Sequence, residues 1–225
     1  MFKMDDKFLI KSNKSGLLKR LYNALFPAKC LFCEEILNNS NSIKCNGCST
    51  SVKPPQHLDQ SHVSIDNVYA VCRYNEINRT PVFKLKYQGK TDLSSNMAKL
   101  MADAIDGIDI AGKILIPIPL HENRKRKRGF NQAELLAGKL SKILNISAHD
   151  VLVRQKDTKP LHTIEKEQRQ DYIQDIFKLK DGYNADGLKI ILIDDIFTTG
   201  TTANECAKAL KKSGAALVEV LVFCG

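Results

Sequence analysis

The stretch Ile190-Ile191-Leu192-Ile193-Asp194-Asp195-Ile196-Phe197-Thr198-Thr199-Gly200-Thr201-Thr202 decides the fold. Four successive aliphatic residues, Ile190 to Ile193, read as a strand buried on both faces, which a parallel sheet requires. Asp194 and Asp195 then fall at its carboxyl end, where open α/β sheets bind ligands. Beyond them Thr198, Thr199, Thr201 and Thr202 set hydroxyls around Gly200. Ala203, Cys206, Ala207 and Leu210 mark the apolar stripe of a helix that starts at this loop. Backbone N–H groups at such a helix start favour a phosphate. Acids, hydroxyl-rich loop and helix in this order predict a sugar-phosphate site; the plain alternative is a buried strand and a capped helix, with the acids merely ending the strand.

Outward from this stretch, strands and helices alternate from Asn67 onward. The pattern predicts a strand over Val68–Tyr74, a helix through Phe83, a helix over Leu93–Ile105 and a strand over Ile114–Leu120. A helix over Gln132–Leu144, a strand over Val151–Arg154, and strand, helix and strand between Lys189 and Phe223 follow. Such alternation implies an α/β domain with a mainly parallel sheet flanked by helices. The 225 residues allow one full domain and a small module. Residues 1–29 read as a leader, 30–53 as a cysteine module, 54–66 as a linker and 67–225 as the main domain.

The composition, 43% hydrophobic and 26% charged, is that of a globular chain. The formal charge of +9 points to polyanions: nucleic acid, nucleotides or phosphates. No apolar run suits a secretory signal or a membrane span, so a cytoplasmic location is expected. Within the leader, Leu17, Leu18, Leu21, Leu25 and Phe26 share one helical face, which is expected to pack on the protein's own body rather than on a membrane surface.

Four of the seven cysteines form Cys30-x-x-Cys33 and Cys45-x-x-Cys48. Two tight turns of this kind present four thiolates to one tetrahedral ion, for which structural zinc is the natural occupant. The polar segment between the pairs supplies little core, so metal binding would contribute the folding energy that is missing. Two disulfides or plain buried thiols are the alternatives, and disulfides suit a cytoplasmic chain poorly. Cys72, Cys206 and Cys224 read as core residues. Pro54, Pro55, His57, Gln60 and His62 mark the linker; His57 and His62 read as metal ligands or as solvated linker residues, and the four cysteines, already completing a closed site, favour the solvated reading.

Two further segments carry positive charge. Lys86-Tyr87-Gln88-Gly89 suits a tight anion-binding turn, although lysine-rich helix ends also close on glycine. The run Arg124-Lys125-Arg126-Lys127-Arg128 repels itself unless an anion neutralises it. This run reads as a loop that takes polyphosphate or nucleic acid.

The acid and threonine stretch resembles the signature of type I phosphoribosyltransferases, enzymes that use 5-phosphoribosyl-1-pyrophosphate (PRPP). With the helix ending in Phe26-Pro27, the cysteine knuckle, Lys86 to Gly89, Pro117-Ile118-Pro119-Leu120 and Arg126-x-Arg128-Gly129-Phe130-Asn131-Gln132, the resemblance narrows to the ComF family, associated with bacterial DNA uptake in natural transformation. It implies that Asp194 and Asp195 hold the ribose hydroxyls and that Thr198, Thr199, Gly200, Thr201 and Thr202 wrap the 5-phosphate. Lys86, Tyr87, Gln88 and Gly89 would form the pyrophosphate loop, and Arg124 to Arg128 a mobile cover in which Arg126 and Arg128 touch PRPP. Magnesium would arrive with PRPP. One segment departs from the family pattern: Arg169 and Phe177 are kept, but Leu161, Ile164 and Tyr172 stand where Gln, Leu and Asn are usual, with His162 nearby.

The resemblance therefore implies a PRPP-binding protein of DNA uptake that contacts single-stranded DNA, with Arg124, Lys125 and Lys127 as its nucleic-acid contacts and DNA-uptake or DNA-processing proteins as partners. Tyr22, Phe26 and Phe32 are the aromatics near the knuckle. The competing expectation is an active phosphoribosyltransferase of nucleotide or small-molecule metabolism with no DNA role.

Overall fold

The computed structural model describes residues 25, 27–50, 62–155 and 176–225. Leu25 apart, the amphipathic leader segment lies outside the described residues, as do His57 and the divergent positions Leu161, His162, Ile164, Arg169 and Tyr172.

After the cysteine module, which ends in the short helix α1 (Asn46–Ser49), come β1 (Asn67–Cys72), α2 (Thr80–Gln88), α3 (Leu93–Ala104), β2 (Lys113–Pro117), α4 (Glu122–Arg128), α5 (Gln132–Leu144), β3 (Leu152–Arg154), β4 (Phe177–Leu179), β5 (Lys189–Ile196), α6 (Thr201–Lys212) and β6 (Leu217–Cys224). Strands β1, β6, β5 and β2 lie side by side in that order, all parallel. The expected mainly parallel sheet is therefore present, with β5 in its interior.

Successive residues of a strand point to opposite faces, and β5 divides accordingly. Ile191 and Ile193 pack with α3, α5, Leu221 and Phe223 on one side; Ile190 and Leu192 pack with α6, Val218, Val220 and Val222 on the other. Each of these aliphatic side chains is essentially fully buried, a gain of about 1.5–3 kcal/mol apiece. Covering both faces is what lets β5 be an unbroken apolar run.

The reading of Val151–Arg154 as a further member of the parallel sheet is corrected. Leu152, Val153 and Arg154 pair antiparallel with Leu179, Lys178 and Phe177 in a separate two-stranded ribbon. The cause lies in the pattern: Phe-Lys-Leu alternates apolar with charged, which suits a ribbon wet on one side rather than a doubly covered strand.

At the amino edge of the large sheet the buried Glu219 of β6 ion-pairs with the buried Lys113 of β2 and accepts from Asn67 Nδ2 at 2.9 Å and Tyr69 Oη at 3.2 Å. Burial, then the Glu219 charge, pushes the Tyr69 phenol up to about 12. This network satisfies its charges at the end of the sheet opposite Asp194 and Asp195.

Candidate functional site

Both acids lie on β5 itself, so their side chains leave opposite faces. Asp195, 2% exposed, turns toward α2, where its Oδ1 meets Lys86 Nζ at 2.8 Å. Its Oδ2 is buried and has no hydrogen-bond partner among the described residues. Asp194 turns the other way, and its Oδ1 accepts the Asp195 N–H at 2.8 Å. Burial, then the neighbouring Asp195 charge, pushes the Asp194 carboxyl up to about 7. Burial disfavours the charged form of Lys86, but the Asp195 and Asp194 charges outweigh it and hold its pKa above the usual lysine value.

Asp194, Thr198, Thr199, Gly200, Thr201 and Thr202 line a cleft of about 60 Å³. Gly200 is the N-cap of α6 and adopts the left-handed backbone, φ 67°. The first N–H groups of a helix have no intrahelical acceptor, and a turn of this kind can receive an anion. Thr199 Oγ1 and Thr201 Oγ1 lie 3.0 Å apart across the loop. A roomier cleft of about 440 Å³ lies elsewhere, between β4 and α6, and holds neither acid.

His62, expected to be solvated, is corrected by the structure. Its ring meets Phe197 edge-on at 5.6 Å between centroids, and a Cβ placed on Gly200 would collide with His62 Nε2 and Phe197 Cζ. Ser64 N–H donates to Asn204 Oδ1 at 3.3 Å, and Asp66 Oδ2 accepts from Val218 N–H and Lys211 Nζ, each at 2.7 Å. The end of the linker is thus strapped along α6 and against the threonine loop. Phe197, next to the acids in the sequence, was the available signal; the histidine partner carried none.

The expected Lys86-Tyr87-Gln88-Gly89 turn is mostly helix. Pro81 starts α2, Val82 and Leu85 bury one side, and Lys86, Tyr87 and Gln88 form its last turn. Gly89, φ 64°, is its C-cap and donates to Lys84 O. Of these residues Lys86 reaches the acids, whereas Tyr87 is 67% exposed.

The run Arg124 to Arg128, read as a loop, is a helix, α4. Lysine and arginine are good helix formers, His121 Nδ1 caps the start by accepting the Asn123 N–H, and left-handed Gly129 closes the end. Lys125 pairs with Glu134 at 2.8 Å, and Arg126 donates to the uncharged amide oxygen Asn123 Oδ1 at 2.9 Å. Arg128 donates to Gln132 Oε1 and lies over the Tyr87 ring, 5.8 Å from its centroid. Arg128 is therefore the residue that ties α4 to the end of α2.

The sulfurs of Cys30, Cys33, Cys45 and Cys48 all lie within 4.8 Å of one another. Cys33 Sγ and Cys45 Sγ are 3.7 Å apart, against the ~3.8 Å that tetrahedral zinc with ~2.3 Å bonds requires. Backbone N–H groups of Cys45 and Cys48 donate to Cys30 and Cys45 sulfurs, each at 3.4 Å. Burial opposes ionisation of Cys30, but N–H groups of Cys33, Cys45 and Phe32 outweigh it and lower the thiol to about 7. The donor set suits a thiolate-bound ion. Phe32 stacks on Phe223 of β6 at 5.9 Å and 19°, and Glu34 ion-pairs with Lys84 of α2. The module thus shares the main core and sits behind the helix that carries Lys86. Phe32 is buried and closed to stacking by a ligand.

Residues 131–225 match the family model described as the phosphoribosyl transferase domain. The parallel sheet, with acids at the end of β5 and a threonine loop opening α6, is the type I phosphoribosyltransferase-like fold. Over most of its length the chain is, further, similar to the ComF-type competence proteins. It is 26% identical over 219 residues to Competence protein F of Haemophilus influenzae, covering 87% of this chain and 96% of that one. Against Competence protein ComFC of Bacillus subtilis it is 33% identical over 155 residues, 65% of this chain and 59% of the relative. DNA utilization protein YhgH of Salmonella typhimurium is 26% identical over 223 residues, 88% of this chain and 97% of the relative. Among solved structures, purine phosphoribosyltransferase from Pyrococcus horikoshii is similar with a TM-score of 0.37 and 15% identity, over 57% of this chain and 71% of that one. The glutamine PRPP amidotransferase of B. subtilis is similar with a TM-score of 0.39 and 16% identity, over 57% of this chain and 25% of that one.

Proposed function

We propose that the chain binds PRPP at the acid pair and threonine loop and acts in the cytoplasm in DNA uptake, where it contacts single-stranded DNA. The observation that carries the PRPP reading is Asp195 Oδ2, a buried carboxylate oxygen without a partner among the described residues at the sheet's ligand-binding edge. A ribose hydroxyl is the donor such an oxygen lacks. Asp194 faces the cleft in which Thr198, Thr199, Gly200, Thr201 and Thr202 would wrap the 5-phosphate. The names of the relatives, competence and DNA utilization proteins, support the uptake role. Among the described residues no helix is long and apolar enough to cross a membrane.

If transfer occurs, a nucleophile bonds to ribose C1 as the C1–oxygen bond to pyrophosphate breaks, and positive charge builds on the ring. Asp194 and Asp195 stabilise that charge, while Lys86 and Arg128 neutralise the leaving group. Magnesium arriving with PRPP would supply further neutralisation of the leaving group beside Lys86 and Arg128. The cysteine module holds zinc as a structural ion. A second reading, an active transferase of nucleotide or small-molecule metabolism, is favoured by the same set of acids, lysine and loop.

Two paired variants separate the roles on α4. Arg126→Ala with Arg128→Ala should weaken PRPP binding; Arg124→Ala with Lys127→Ala should spare it, weaken single-stranded DNA binding and flatten a salt dependence of roughly −0.7 per phosphate contact. DNA affinity and salt slope unchanged in the second pair would reject the DNA contact and favour the metabolic reading.

A further inference from the structure

We infer that Phe83 and Tyr87 on the outer face of α2 form a base-stacking platform for a single strand whose phosphates follow α4. The inference rests on the DNA reading above and names a surface for it. Phe83 is 52% and Tyr87 67% exposed, and their rings lie 5.0 Å apart. The buried side of the same helix carries Val82 and Leu85, so it needs neither aromatic for packing. As an i,i+4 pair the two rings stabilise the helix by only ~0.2–0.5 kcal/mol, a small return for leaving two large apolar rings in water. Each ring presents a face that any base can cover.

Charge identifies the occupant. Arg128 of α4 lies over the Tyr87 ring, so the basic helix and the aromatic pair are one continuous surface. Residues Arg124 to Arg128 carry five successive positive charges and none is buried. An apolar protein surface would take the rings but gain nothing from that charge, whereas a single strand supplies bases for the rings and phosphates for the helix. The 46° tilt between the rings excludes a sandwich, so two bases stack separately, one on each.

The test uses the full-length zinc-loaded protein, a fluorescent oligothymidine and an abasic strand of equal length. Phe83→Ala should weaken oligothymidine binding about 5- to 150-fold, the range of a lost base–aromatic stack. The salt slope, abasic-strand affinity and PRPP binding should stay at wild-type values. If the wild type binds oligothymidine and Phe83→Ala matches it, or loses equally on the abasic strand, the platform is overturned and the rings belong to a protein partner. A wild type that binds neither strand overturns the DNA reading itself and the platform with it.

Discussion

Lys86 Nζ lies 2.8 Å from Asp195 Oδ1, and the side chains are 19% and 2% exposed. The last turn of α2 is thereby fastened to the carboxyl end of β5, with the second Asp195 oxygen buried and without a hydrogen-bond partner among the described residues. Breaking such a pair by removing one partner leaves a buried charge uncompensated. Lys86→Met should cost about 3–5 kcal/mol in urea denaturation. Adding Asp195→Asn should recover much of that loss, because the stranded charge is then gone.

Asp194 gives stability a pH dependence of known sign. Burial and the Asp195 charge raise its carboxyl from 3.8 to about 7 on folding, so the folded protein holds this proton more tightly than the unfolded chain. The resulting stabilisation is complete below about pH 4 and is lost as pH rises through about 7. Asp194→Asn removes the dependence. Its stability relative to wild type should be greater at pH 8 than at pH 5, and an equal difference at both would contradict the assignment.

Metal content tests the cysteine module. Purified protein should carry about one zinc per chain, and a strong chelator should remove a contribution of order 10 kcal/mol. Because Phe32 packs on Phe223 and Glu34 on Lys84, stripping the metal should also lower the melting temperature of the main domain. Metal-free protein with an unchanged melting temperature would mean that the thiols need no ion.

Gly200 is constrained by its left-handed backbone and by the His62 and Phe197 rings that a Cβ there would meet. Gly200→Ala should destabilise by about 1–2 kcal/mol from the backbone alone, with the His62 collision added. His62→Ala in the Gly200→Ala background should recover only the part due to the His62 collision, leaving the backbone cost and the Phe197 contact. Thermal denaturation of the two variants separates these contributions.

The sheet was legible because Ile190 to Ile193 form an uninterrupted apolar run that only a doubly covered strand accommodates, and Asn131 and Asn145 frame α5 where its apolar periodicity starts and stops. The acids and threonine loop were legible for the same local reason: consecutive residues on one strand and one turn. What sequence spacing cannot carry is contact between distant segments. Lys86 to Asp195, His62 to Gly200, and Phe32 to Phe223 each join residues far apart in the chain. The basic run was misread as a loop because its self-repulsion was weighed without Glu134, which pairs with Lys125, and without the amide oxygens of Asn123 and Gln132, which accept from Arg126 and Arg128. Phe83 went unnoticed beside Tyr87 because an aromatic four residues earlier is usually core, and exposure is visible only in the fold.

The central claim is a live PRPP site, and calorimetric titration of the zinc-loaded protein with PRPP and magnesium tests it directly. Asp194→Asn with Asp195→Asn, checked for an intact melting transition, is the control. Saturable binding to the wild type that disappears in the folded control is the predicted result. No heat of binding to the wild type, or binding undiminished in the control, would contradict the assignment of the acid pair and its threonine loop.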